Sequence, residues 1–166
     1  MSDKLTFVHA QTVDEIAAAH RLFEEYAESL GFSLCFQNFD QELADLPGKY
    51  SPPGGRLLLA YVDKHLAGCI ALRNHDSDTC EMKRLFLRPG FRGMGLGKAL
   101  VVKIIDEARS IGYKRMCLDT IPGKMDSAIA LYEAFGFRDI SPYYDNPVAG
   151  ARFMQKDLRS QMSDML

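Results

Sequence analysis

The sequence predicts an α/β (α+β) chain: a mixed, mostly antiparallel central sheet of about seven strands with helices on both faces. Three observations predict it. Short apolar runs alternate with amphipathic stretches and stop at Gly, Pro, Asn or Asp clusters, the punctuation of strands and helices around one core. A meander of strand-like runs fills the middle of the chain. Its last run breaks at Arg88-Pro89-Gly90-Phe91 and leads, through the glycine-rich Arg92-Gly93-Met94-Gly95-Leu96-Gly97-Lys98, into a long helix.

In chain order, Leu5 to His9 is a short strand, and Thr12 or Asp14 caps the next helix. Ile16, Leu22, Phe23, Tyr26 and Leu30 give that helix an apolar face, and Gly31 ends it. Phe32 to Phe39 is apolar and irregular, Phe39 to Leu46 forms a short helix, and Tyr50 to Gly55 is a loop. The meander is Arg56 to Val62, Leu66 to Arg73 and Thr79 to Leu87, with turns at Asp63-Lys64-His65 and Asn74 to Asp78. Leu96, Leu100, Ile104, Ala108 and Ile111 line one face of the long helix, which Gly112 closes. Lys114 to Thr120 is a strand, Ser127 to Phe135 a helix, and Phe137 to Ile140 and Ala151 to Leu158 are the last strands. The order is β-α-α-β-β-β-α-β-α-β-β.

At 166 residues, 47% apolar and 25% charged, residues 1–166 are expected to form one domain, with Arg159 to Leu166 a frayed tail. A net charge of -2 gives no electrostatic case for a nucleic-acid partner. No apolar run suits a membrane span, and MSDKLTFVHA lacks the layout of a signal peptide. Cys35, Cys69, Cys80 and Cys117 have no metal-ligand spacing, and His9, His20, His65 and His75 are scattered. Buried free thiols, no metal and a cytoplasmic location are the expectation.

The glycines at the helix mouth need a reason, because each costs roughly 0.5–1 kcal/mol against alanine in a helix interior. Close approach supplies one. Without a Cβ, the N–H groups of Gly93, Gly95 and Gly97 can converge on a ligand oxygen, the helix dipole favours an anion, and Arg92 and Lys98 add charge. A flexible turn without a ligand is the alternative. The NTPase phosphate loop does not fit, since Arg92 stands where its first Gly belongs and Ala99 where Ser/Thr belongs. The dinucleotide fingerprint fails too, at Lys98 or Leu100.

Arg92-x-x-Gly95-x-Gly97 resembles the Arg/Gln-x-x-Gly-x-Gly/Ala signature of the GCN5-related N-acetyltransferase (GNAT) superfamily. Ala128-Ile129-Ala130-Leu131-Tyr132-Glu133-Ala134-Phe135-Gly136-Phe137 resembles its Ala-Ile-x-Leu-Tyr-x-x-x-Gly-Phe segment. The close resemblance runs from Glu81 to Phe137; the N-terminal third is similar in layout only. It implies acetyl-CoA as co-substrate and transfer of acetyl to a primary amine of a small molecule or peptide by direct attack. A non-catalytic acetyl-CoA sensor or interaction module on the same scaffold is the alternative, and a homodimer is a possible assembly. The backbone of Arg92, Gly93, Met94, Gly95, Leu96, Gly97 and Lys98 would hold the pyrophosphate. Leu85, Phe86 and Leu87 on the fourth strand would bond the pantetheine arm where the fourth and fifth strands splay apart. The family often has Asn where Met125 stands here; Ser127 or the backbone replaces that contact, or the hydrogen bond is missing.

Amide formation needs a neutral amine, an oxyanion donor and an acid for the leaving thiolate. Tyr132 is the candidate acid, a role the family often gives its matching tyrosine, against an ordinary packed tyrosine. Glu81 is the candidate base, against a solvated strand charge or a Glu81–Lys83 pair; Asp119 on the fifth strand is a weaker candidate. Alternation places Glu81, Lys83, Leu85 and Leu87 on one face unless a bulge shifts the register. The resemblance assigns the acceptor to Phe32–Phe39 and to Tyr143–Asn146, in the loop between the last two strands. There, Tyr143 and Tyr144 offer aromatic faces and Asp145 a carboxylate, which suit a cation, or the loop is simply a rigid turn.

Overall fold

The computed structural model describes residues 4–31, 33–34, 38–123 and 125–159. Within the Phe32–Phe39 segment, residues 32 and 35–37, Cys35 among them, lie outside that set, as do Lys124 and residues 160–166 of the expected tail. The strands are β1 (Leu5–His9), β2 (Arg56–Val62), β3 (His65–Asn74), β4 (Thr79–Leu87), β5 (Arg115–Thr120), β6 (Arg138–Ile140) and β7 (Arg152–Asp157). The helices are α1 (Val13–Leu30), α2 (Phe39–Asp45), α3 (Leu96–Ile111) and α4 (Asp126–Ala134). The strands form one sheet in the order β1-β2-β3-β4-β5-β7-β6. All its pairings are antiparallel except β4 against β5. This is the expected mixed sheet, with element ends within a residue or two of those read from sequence.

Local chemistry sets the helix ends. Thr12 and Glu15 form a reciprocal capping box at the start of α1, and Gly31 ends it in the left-handed conformation. The apolar stripe of α3 (Leu100, Val101, Ile104, Ile105, Ala108) packs with Leu58, Ile70, Leu72, Cys80, Met82 and Met116 on one sheet face, joined by Tyr132 of α4 and by Phe135, which caps its C-terminus. On the other face α1 sets Ala18, Ala19, Leu22 and Phe23 against Leu57, Leu59, Cys69 and Ala71. The central strands β2 to β5 are thus largely buried on both sides, while the edge strands β1 and β6 stay partly exposed.

Two irregularities in β4 shape the functional region. β4 pairs with β5 only from Thr79 to Glu81, opposite Arg115 to Cys117; beyond that, no ladder joins them, although β4 runs on to Leu87 and β5 to Thr120. In the ladder with β3, Cys69 faces Phe86 and Ala71 faces Lys83, so Arg84 and Leu85 together oppose Ile70. That is a β-bulge, with Arg84 at φ 63°. It corrects the unbroken alternation from Glu81 to Leu87: Phe86 joins the α1 face, while Leu85 and Leu87 pack toward α3. Gly68 on β3 holds the end of β4 close, since a side chain there would strike the Phe86 carbonyl.

Candidate active site

The wedge left by the parting of β4 and β5 is a cleft of about 450 Å³. Its two ends are built differently. At one end α3 begins, with Gly95 as N-cap at φ 76°, no side-chain cap and no acidic residue in the first turn. Gly93 is left-handed as well, at φ 81°. A Cβ built at Gly93 or Gly95 would meet nothing within 4 Å, so the space before these amides is open. Arg92 lies alongside; its Nε donates to the Leu87 carbonyl at 3.1 Å, and its guanidinium sits 6.0 Å from the Phe86 ring centre. Uncapped N–H groups, the positive end of the helix dipole and an arginine are a donor set for a phosphate. They fit the coenzyme A pyrophosphate.

The other end is a network of buried side chains on the α1 face. Lys83 and Asp119 both line the cleft, and Lys83 Nζ lies 3.9 Å from Asp119 Oδ1. Asp119 Oδ2 accepts from the Asn146 amide at 3.0 Å and from the Tyr144 hydroxyl. Arg84 also lines the cleft, held by a two-point bond to Glu42 at 2.9 and 2.8 Å and flanked by the rings of Tyr26 and Phe39. Behind them, Glu81 accepts from Arg73 Nε at 2.9 Å with one oxygen and from the Tyr143 hydroxyl at 2.6 Å with the other.

These surroundings tune the ionisable groups. Burial, with help from neighbouring Arg84, pulls the Lys83 ammonium down to about 8, although Glu81 and Asp119 oppose the shift. Burial works to raise the Glu81 pKa, but Lys83, Arg73 and the Tyr143 hydrogen bond outweigh it, so the carboxyl sits below its ordinary value. Burial raises the Tyr132 phenol above its ordinary range. That ring rests 5.7 Å from Phe137, and the residue lines the cleft. Cys117 is pushed up to about 12 by burial, with Glu81 adding to it; a thiol so placed is a poor nucleophile. Cys69, Cys80 and Cys117 are free and buried.

The sequence matches the family model described as "Acetyltransferase (GNAT) family" over residues 14–137. An uncharacterised N-acetyltransferase of Schizosaccharomyces pombe is 41% identical over 140 residues, which cover 82% of this chain and 85% of the relative. This chain belongs to the GNAT family. It is therefore an acyltransferase. The human N-acetylaspartate synthetase is 36% identical over 99 residues, 58% of this chain but only 32% of that protein. Among solved structures, a GNAT acetyltransferase from Staphylococcus aureus superposes with a TM-score of 0.77 at 21% identity, covering 93% of this chain and 99% of the other. A putative acetyltransferase from Salmonella typhimurium, solved with acetyl-CoA, gives 0.69 at 22% identity, covering 95% of this chain and 96% of the other. At that identity the likeness is one of fold.

Within this GNAT chain the cleft gathers Leu85, Phe86, Leu87, Arg92, Gly93, Gly97, Ser127 and Tyr132 of the sequence-predicted residues. Met94 and Lys98 are exposed, and Leu96 packs with Val62 and Ala67. Met125 lines the cleft, its sulfur 3.4 Å from the Thr120 hydroxyl, which donates to it. Glu81 and Asp145 are not among the lining residues; Asp145 is exposed. Tyr143 and Tyr144 stack edge-on against Phe153 and point their hydroxyls at Glu81 and Asp119. Sequence reasoning missed Tyr26, Lys83 and Arg84 as lining residues, while Asn146, the end of the expected acceptor segment, does line the cleft. One signal was present: adjacent cations, Lys83-Arg84, inside a strand that is otherwise largely apolar.

Proposed function

We propose that this enzyme binds acetyl-CoA along the cleft, with the amides around Gly93, Gly95 and Gly97 on the pyrophosphate and the backbone of Leu85 to Leu87 along the pantetheine arm. It transfers acetyl to a primary amine of a small molecule or peptide by direct attack. The observation that carries the reading is one cleft with an uncapped, glycine-lined helix mouth at one end and, at the other, a carboxylate and a tyrosine on its walls. Asp119 takes a proton from the acceptor ammonium, directly or through a water. The amine nitrogen then bonds to the acyl carbon, a backbone N–H near Leu85 to Leu87 steadies the oxyanion, and the carbon–sulfur bond breaks. Tyr132 supplies the proton to the departing sulfur; a phenol raised by burial stays protonated until that moment.

Asp119 is preferred to Glu81 as base because it lines the cleft and Glu81 does not. Glu81 then anchors the Tyr143 loop. One relative's name, N-acetylaspartate synthetase, denotes an amino-acid acceptor, and amino acids fall within the small amines of this reading. A reducing compartment such as the cytoplasm suits the free thiols and is the location we propose.

The test is a thiol-release assay over a range of pH. Asp119→Asn should lower kcat by roughly 10²–10⁴ near neutrality. It should recover partly at alkaline pH, where the amine deprotonates unaided. Glu81→Gln should leave the shape of the profile unchanged. The reverse pattern would return the base to Glu81.

A further inference from the structure

On a regular strand, neighbouring residues point to opposite faces. Lys83 and Arg84 do not: the bulge, with Arg84 at φ 63°, puts both on the wall of the same cleft. Their side chains are only 3% and 2% exposed. A left-handed arginine in a strand and two adjacent buried cations are each unfavourable, and such strain persists where a site uses it. The coenzyme's phosphates do not account for the pair. Lys83 lies four residues upstream of Leu87, roughly 13 Å along a strand from the glycine loop, which has Arg92 of its own. The charges around the pair balance, with Arg73, Lys83 and Arg84 each paired against Glu81, Asp119 and Glu42 in turn. An acceptor that brings one ammonium and one carboxylate keeps that balance; a diamine upsets it.

We propose that the acceptor carries a carboxylate beside its amine, as an α-amino acid does, with Lys83 and Arg84 facing the carboxylate and Asp119 the amine. The proposal rests on the transferase reading above and narrows its substrate class. The 3.9 Å between Lys83 Nζ and Asp119 Oδ1 matches it: cation and anion stand one functional group apart, as do the carboxylate and amine on a single carbon. Asn146, bonded to Asp119, closes the amine side.

The common amino acids, their α-amides, phenethylamine, putrescine and spermidine are offered with acetyl-CoA, and thiol release and product mass are read. At least one amino acid should exceed its own amide by about tenfold or more in kcat/KM, since the amide brings an ammonium with no carboxylate to balance it. An amide or simple amine served as well as any amino acid would overturn the proposal and leave the transferase reading standing. No thiol release with any amine, while calorimetry still shows acetyl-CoA binding, would overturn the transferase reading and this proposal with it. Lys83→Met should erase the acid-over-amide preference by raising KM for the amino acid, and Lys83→Arg should restore part of it. A folded Lys83→Met enzyme, checked by circular dichroism, with its preference intact would overturn the assignment of the cation pair.

Discussion

The two ends of the cleft are built by different means. The glycine-loop end is built from backbone, exposed and local: Gly93, Gly95 and Gly97 stand within five residues and need only the helix that follows them. The acceptor end is built from buried side chains brought together across the fold. Arg84 meets Glu42 across 42 positions, Tyr143 meets Glu81 across 62, and Tyr144 meets Asp119 across 25. A backbone site can lose one contact and keep its shape. A buried ionic network loses its neighbours' compensation with each deletion.

The largest expected effect is kinetic and falls at the side-chain end. Tyr132→Phe keeps the ring that packs on Phe137 and removes one oxygen. The rate should fall by roughly 10²–10⁴ with little change in KM for acetyl-CoA. A mutant with full kcat would reduce Tyr132 to a packing residue and remove the division of labour.

Next comes stability. Glu42→Ala strands the Arg84 guanidinium in the interior, where its side chain is 2% exposed, and should destabilise the fold by about 3–5 kcal/mol in urea unfolding. A loss under about 1 kcal/mol would mean that the network is no more demanding than a surface pair. Gly97→Ala probes the opposite end, where one added methyl group should be tolerated. The new Cβ would stand at ordinary contact, 3.6 Å from Leu131 and 3.8 Å from Leu87, inside the first turn of α3. Melting should show a gain of roughly 0.5–1 kcal/mol from the better helix residue. Acetyl-CoA should bind about as well as before, since the family signature admits Ala at this place. A loss of stability, or a loss of affinity of about tenfold or more, would mean that the backbone end is as exacting as the buried network.

The same contrast explains what the sequence made legible. Strand and helix limits, the Gly31 and Gly112 stops and the glycine turn depend on neighbours in the chain, and they emerged within a residue or two. The bulge at Arg84 does not, because it exists only in the ladder with β3. Alternation therefore misassigned Leu85 and Leu87 relative to Lys83. Tyr143 and Tyr144 stood out as aromatic residues, but it is their hydroxyls that reach Glu81 and Asp119, and no spacing records a contact made across the sheet. Asp119 emerged only as the weaker base candidate; its partner Asn146 fell within the expected acceptor segment without a role of its own, since an Asn between Asp145 and Pro147 reads as a turn residue.

The most direct test of the account is a calorimetric titration of acetyl-CoA into the parent enzyme and into Gly95→Asp. The left-handed N-cap tolerates Asp better than most residues, so the fold should survive. The new carboxylate would stand before the amides that receive the pyrophosphate. The account predicts saturable one-to-one binding to the parent and a loss of about two orders of magnitude or more in affinity for the variant, equivalent to roughly 3 kcal/mol. Equal affinity in a folded Gly95→Asp protein would contradict it, because the anion-binding helix mouth would then have no part in holding the coenzyme.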